Sequence, residues 1–218
     1  MKKYPRIQFR KKLKDLRKEI DKMGQVTIQS QKNAADALVN YDEELVKDVI
    51  KSGKEINLLA FNLERHCISI IAAEQPVASD LRFIEACIKV SSHLKRINQR
   101  TVDIGKTAEL LKDEELPKDA LRVVGHMADI VQMMLSKSIY AFLDQNMDMA
   151  RGLRYDDDKV DDLFDEAMDH ITKTMAKDNE SIPYMVYLLF VSRYLKRIAD
   201  RAVSIGDRTI FMMTCEKP

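Results

Sequence analysis

Glycine and proline are scarce in this sequence, with 6 glycines and 5 prolines among 218 residues. Together they amount to less than half of the usual share of roughly 12 %. A β-sandwich or barrel needs these residues in its many turns, so the composition argues against both folds. Tryptophan is absent and aromatic residues make up 6 %, whereas charged residues reach 33 % and hydrophobic residues 45 %. That balance is typical of long amphipathic helices.

Long apolar runs are also lacking. The longest, from Met185 to Val191, is far shorter than the ~18 residues that a membrane-spanning helix needs. The N-terminus is basic but has no apolar core of the kind found in secretory signals. The three cysteines, Cys67, Cys87 and Cys215, form no C-x-x-C pair and are expected to be small, buried, reduced side chains. These features predict a soluble cytoplasmic protein.

Neither sign of charge dominates, because 36 basic residues face 35 acidic ones. A bulk nucleic-acid binder would be clearly basic, so no nucleic acid is expected as a partner. The N-terminal eighteen residues are the exception, with nine basic groups and Asp15 as the single acid. We expect this patch to be a solvated helix face. The alternatives are contact with anionic lipid near a transporter, or with nucleic acid.

The hydrophobic spacing is helical along most of the chain, as in Leu13, Leu16, Ile20 and Met23. Expected helix starts are Asp42, the Ser79–Asp80 pair, and Ser181 with the proline two residues later. The pattern predicts an all-α protein with six long helices, at 6–39, 42–74, 79–112, 118–145, 147–177 and 182–214.

An internal repeat divides the chain. The segment LKRINQRTVDIG, residues 94–105, matches LKRIADRAVSIG, residues 195–206, at eight of twelve positions. Repeats at this spacing indicate duplication of one structural unit. We therefore predict two tandem three-helix bundles, at 1–114 and 115–218, that pack side by side along a shared seam.

The sequence resembles the PhoU family of phosphate-uptake regulators. The segment QPVASDLR, residues 75–82, is similar to the family's link between its second and third helices, and the duplicated LKRI segments are similar to its repeated L-E-R-I-x-D helix. D-D-K-V-D at 157–161 is similar to the entry of its fifth helix. The resemblance implies a PhoU-like fold and a cytoplasmic regulator of phosphate uptake and phosphate-responsive signalling. It also implies two partners, the transporter's ATP-binding subunit and a sensor kinase, and a homodimer.

Family members carry helix carboxylates that bind iron or zinc clusters, because residues four apart present two oxygen donors on one face. In the first half of this sequence, the corresponding positions hold no carboxylate. They are Gly53, Asn57, Lys95 and Gln99. The sequence therefore predicts no metal cluster in the first half.

The second half keeps three of the family's acids, Asp157, Asp161 and Asp200, which are candidate ligands for iron, zinc or manganese. Lys196, however, stands where the family has a glutamate, and an ammonium group repels a divalent cation. The preferred hypothesis is that Lys196 is a built-in counter-ion to the three aspartates and replaces the charge of the metal. The remaining acids of the run 156–166 are expected to be solvated at a helix start.

No enzyme is expected. The four histidines lack the E-x-x-H and H-E-x-x-H spacings of metal-dependent catalysts, and no phosphate-binding glycine loop is present. A regulator that acts by protein contact is therefore the first hypothesis. The alternatives are a metal-binding helical bundle, an accessory subunit of a proton- or sodium-coupled phosphate permease, and a DNA-binding regulator, which lacks a reading motif.

Overall fold

The computed structural model describes residues 4–216, which contain six long helices, one 3-10 turn and no strand. The all-α prediction is confirmed, and every predicted helix end lies within two residues of the observed one. The 3-10 turn Asn179–Ser181, just before the last helix, was not predicted. The helices are α1 Tyr4–Val39, α2 Glu43–Glu74, α3 Ala78–Leu110, α4 Lys118–Leu143, α5 Met147–Lys177 and α6 Ile182–Thr214.

Helix ends follow local chemistry, although not always at the predicted residue. The Asp42 carboxylate caps α2 by accepting the backbone N–H groups of Glu44 at 2.8 Å and Leu45 at 3.3 Å. The prediction for α3 was wrong, because the chain enters that helix at Val77, and Ser79 lies inside it. The predicted start at Ser181 is confirmed, since Ser181 directly precedes α6 and Pro183 lies in its first turn, although the Ser181 hydroxyl donates backwards to the Asp178 carbonyl.

The helices form two three-helix bundles that lie side by side. In each half all three helices pack on one another, and α3 packs on α6 while α1 packs on α4. Buried apolar side chains from both halves form one continuous core, in which Leu16, Ile20 and Met23 are fully buried as their spacing predicted. The proposed boundary between residues 114 and 115 falls in the connection between α3 and α4 and stays a prediction.

The buried cysteines agree with the sequence analysis in two cases of three. Cys67 and Cys87 are fully buried and free, and burial raises the pKa of the Cys67 thiol to about 12. Cys215 is exposed, so its predicted burial was wrong. It follows the last residue of α6 in the left-handed backbone conformation, beyond Met212, the last buried side chain of that helix.

Part of the basic N-terminal patch supports the fold. The Arg17 guanidinium donates to the Leu143 carbonyl at the end of α4, with 2.6 Å between nitrogen and oxygen, and lies 4.9 Å from the centroid of the Phe83 ring. Lys12 forms a 2.6 Å ion pair with Glu74. The prediction of a uniformly solvated face is therefore wrong at these two positions, while residues 1–3 lie outside the described residues.

Candidate functional site

An acidic cluster lies between α5 and α6. Asp157 and Asp161 stand one turn apart on α5, and Lys196 and Asp200 stand one turn apart on α6. Because residues four apart share a helix face, each helix directs its two members to the same side. The structure brings all four predicted residues close enough for Asp200, Asp161 and Lys196 to act on the charge of Asp157.

Lys196 makes its short contact with one of the three aspartates. Its Nζ lies 2.7 Å from Asp161 Oδ1, although this buried oxygen meets no hydrogen-bond geometry. The attraction between the Lys196 ammonium and the Asp161 carboxylate is therefore a charge interaction rather than a well-directed hydrogen bond. The contact with Asp161 raises the pKa of Lys196, and partial burial opposes this rise without cancelling it. The ammonium also lies 5.2 Å from the centroid of the Phe164 ring, whose face attracts cations.

Asp157 is the least compensated member of the cluster. Its Oδ1 is buried and has no hydrogen-bond partner among the described residues. Burial, followed by the negative charges of Asp200 and Asp161, raises the pKa of Asp157 to about 6, and Lys196 opposes this shift only in part. The single ammonium group of Lys196 is thus shared by several carboxylates, and ionisation of Asp157 carries an energetic penalty.

A divalent cation does not fit this arrangement. The Asp161 oxygen that would face it already lies 2.7 Å from an ammonium group, which repels a metal ion. Among residues 4–216, no three His, Cys, Asp or Glu side chains are arranged to hold a metal ion. The assignment of the three acids as metal ligands stays a prediction, which this geometry disfavours. Elemental analysis of protein purified without chelator tests it, and stoichiometric iron, zinc or manganese that disappears in Asp157→Ala plus Asp200→Ala would overturn the counter-ion role of Lys196.

The raised pKa of Asp157 gives a pH-dependent contribution to stability. Its folded-state value of about 6 lies above the ordinary 3.8. The folded state therefore binds more protons than the unfolded state between these values, and stability falls as pH rises through this window. Because Asp157 is partly exposed, solvent screening reduces the penalty at pH 7 to roughly 1 kcal/mol.

Asp157→Asn is expected to raise the free energy of unfolding at pH 7 by that amount and to flatten its slope between pH 4 and 6. Urea titrations of both proteins across this range measure the change. Asp158→Asn is the matched control, because Asp158 is an exposed neighbour on the same helix. An unchanged slope in Asp157→Asn would contradict the uncompensated charge.

The first-half positions do not gather into one equivalent cluster. Asn57 and Lys95 line a groove between α2 and α3 that also holds Glu64. A Cβ atom on Gly53 would lie 3.2 Å from a methyl group of Val102, so this position is tightly packed. Gln99 instead faces the seam between α3 and α6. At these positions the first half therefore lacks the acids that the second half holds.

Sequence reasoning missed Asp156. We expected the acidic run to be solvated at a helix start, but it lies in the interior of α5, and Asp156 is only 5 % exposed. Its carboxylate pairs with Lys137 at 2.7 Å and with Lys159 at 3.3 Å. Asp156 lies three residues after Leu153 and four before Val160, and both of these are fully buried. This helical spacing is the sequence signal that Asp156 faces inward.

The fold and the cluster define a class of protein: a six-helix bundle built from two copies of one three-helix unit, with an acidic cluster between α5 and α6 of the second copy. No helix within residues 4–216 has the length and apolar character to cross a membrane.

Comparison with known proteins identifies the class. The PhoU domain matches residues 20–108 and again residues 124–209. The phosphate-specific transport system accessory protein PhoU homolog 1 of Methanothermobacter thermautotrophicus is 63 % identical over 217 residues, which cover 100 % of this chain and 99 % of that protein. The phosphate-specific transport system accessory protein PhoU of Escherichia coli is 30 % identical over 92 % of this chain and 83 % of its own length.

The solved structures agree. The crystal structure of PhoU from Pseudomonas aeruginosa superposes with a TM-score of 0.91 and 27 % identity, covering 95 % of this chain and 100 % of that one. The chain belongs to the PhoU family. The family resemblance and the duplicated helical fold predicted from the sequence are both confirmed.

Proposed function

We propose that this protein is a cytoplasmic, non-enzymatic regulator of phosphate uptake that acts by contact with the ATP-binding subunit of a phosphate transporter. The observation that carries the proposal is membership of a family whose relatives at 63 % and 30 % identity are named accessory proteins of the phosphate-specific transport system. Phosphate-responsive signalling would follow if a sensor kinase reads the same contact. A regulator of this kind needs surfaces that bind a partner rather than a catalytic group.

The outer face of α2 offers such a surface. Leu58, Phe61 and Ile68 are 60 %, 56 % and 56 % exposed, and their spacing places them on one side of the helix. The opposite side of α2 packs on α1 and α3. Large apolar side chains grouped on an exposed helix face are typical of protein contact sites. We name these three residues the α2 face and assign it to the ATP-binding subunit.

Charging the α2 face is expected to release the restraint on uptake. Leu58→Asp plus Phe61→Asp should weaken binding to the purified ATP-binding subunit by at least ~10-fold, because burying an unpaired carboxylate removes the gain from apolar contact. In cells, the variant should raise the rate of radiolabelled phosphate uptake at high external phosphate to the level of a deletion strain.

Leu110→Asp is the matched control, since Leu110 is 59 % exposed at the end of α3, away from the α2 face. It should leave both binding and uptake unchanged. A double variant that restrains uptake like the wild type would contradict the assignment of the α2 face. A deletion strain with unchanged uptake would contradict the regulatory function itself.

The two alternative functions predict different partners. An accessory subunit of an ion-coupled permease would bind that permease and not an ATP-binding subunit. A metal-binding bundle would carry stoichiometric metal and need no transporter. The homodimer stays a prediction that sedimentation analysis of the purified chain tests.

A further inference from the structure

The α3 and α6 repeats cross in opposite directions at the seam between the halves. Arg208, late in α6, pairs with Glu85, early in α3, at 3.1 Å. Arg100, later in α3, lies 5.6 Å from the centroid of the Tyr194 ring, earlier in α6. The two helices are therefore antiparallel, and the middles of their matching LKRI segments meet.

A cavity of about 450 Å³ lies at this crossing. Six side chains line it, and they form three pairs that the duplication relates, each pair 101 residues apart. The pairs are Arg96 with Arg197, Gln99 with Asp200, and Arg100 with Arg201. The duplication thus places the same guanidinium pattern on both walls of one cavity.

The lining is strongly positive although the whole chain carries a net charge of only +1. Four guanidinium groups face a single carboxylate, that of Asp200. Arg100 is held by a 2.7 Å ion pair with Asp103. Within residues 4–216, no carboxylate lies in ion-pair contact with Arg96, Arg197 or Arg201. Three of the four positive groups therefore have no fixed counter-charge.

His93 lies next to this seam, and the positive charges there affect its pKa. Its Nδ1 is buried and has no hydrogen-bond partner among the described residues. Burial, followed by the charges of Arg201 and Arg96 and by smaller effects of Arg208 and Lys89, lowers the pKa of His93 to about 4. The imidazole is therefore neutral at pH 7, and it adds no charge to a region that already repels cations.

We propose that the α3–α6 cavity binds a tetrahedral oxyanion of the phosphate class, either inorganic phosphate or the phosphoryl group of a nucleotide. Guanidinium groups match the oxygens of such anions through paired N–H donors. The cavity volume lies in the range of small-ligand sites. Since the arginines come from both halves, a bound anion joins α3 to α6. The proposal concerns binding by the purified chain and does not rest on the proposed regulatory function.

Calorimetric titration of the full chain at low ionic strength, with inorganic phosphate in one series and ATP in another, tests the site and distinguishes the two sources. Arg96→Gln plus Arg197→Gln should weaken binding of the preferred anion by at least ~10-fold, because each guanidinium supplies charged hydrogen bonds. Asp200→Asn should act in the opposite direction and tighten binding severalfold, since it removes the carboxylate from the lining. Arg65→Gln, on α2 away from this seam, is the control and should change binding less than twofold.

An NMR titration of His93 gives a second readout that requires no variant. A bound anion offsets the charges of Arg96 and Arg201, so saturating phosphate should raise the pKa of His93. The proposal is overturned if neither anion binds at millimolar concentration, or if the double arginine variant and Arg65→Gln weaken binding equally. It is also overturned if Asp200→Asn weakens binding, because that result would place the anion elsewhere.

Discussion

Phe142→Ala is expected to lower the free energy of unfolding by about 3–5 kcal/mol. Phe142 is fully buried in the last turn of α4, and its ring stacks on that of Phe83 in α3, with 6.0 Å between centroids. Arg17 of α1 lies over the Phe83 ring and donates to the Leu143 carbonyl. Truncation therefore leaves a cavity where helices of both halves meet, and neighbours fixed by these contacts cannot collapse to fill it.

Urea unfolding followed by circular dichroism measures this loss. The wild type should unfold in one transition because the two halves share a continuous core. Tyr140→Ala, which removes an aromatic ring that is 44 % exposed on the same helix, is the control and should stay within about 0.5 kcal/mol of the wild type. A loss below about 1 kcal/mol in Phe142→Ala would contradict the tightly packed junction.

Gly206→Val is expected to destabilise the protein by about 2–3 kcal/mol. A Cβ atom at Gly206 would lie 2.7 Å from a methyl group of Leu153 and 3.0 Å from the backbone carbonyl oxygen of Ala150. The carbonyl belongs to the backbone of α5 and cannot move aside as a side chain would. The absence of a side chain at Gly206 is thus what lets α6 approach α5 so closely.

Gly125→Val is the matched control, because no heavy atom lies within 4 Å of a Cβ placed there. It should be neutral or slightly stabilising, since valine is a better helix former than glycine. The repeat-equivalent Gly105→Val should show a smaller loss than Gly206→Val, because a Cβ there meets only side-chain atoms of Val49, at 2.9 Å, and no backbone atom. Equal stability of Gly206→Val and Gly125→Val in thermal unfolding would contradict the close approach.

Much of this fold can be predicted from local patterns of the sequence. Apolar residues at Leu16, Ile20 and Met23 mark the buried side of α1, and Asp42 marks the start of α2 by its capping oxygen. Gly105 and Gly206, the last residues of the two repeats, both allow close packing against the preceding helix of their own bundle. Helix capping and periodicity act over one or two turns, which is why the helix ends were predictable.

The candidate sites depend on contacts between helices, and the sequence shows these less well. The i, i+4 spacing predicts that Asp157 and Asp161 share one helix face. It does not predict which carboxylate Lys196 contacts. That choice depends on the distance between α5 and α6. The arginine-lined cavity combines α3 and α6 residues 101 positions apart. Its members were visible as a repeat, but the antiparallel crossing that makes them neighbours is a property of the packed halves.

The proposed regulation of phosphate uptake requires contact between this protein and the transporter. Its most direct test is co-purification of the tagged chain from its own cells, grown in high and in low phosphate. We expect recovery of the ATP-binding subunit of a phosphate transporter, in greater amount from cells grown in high phosphate. Recovery of the chain alone in both conditions, even under mild crosslinking, would contradict it.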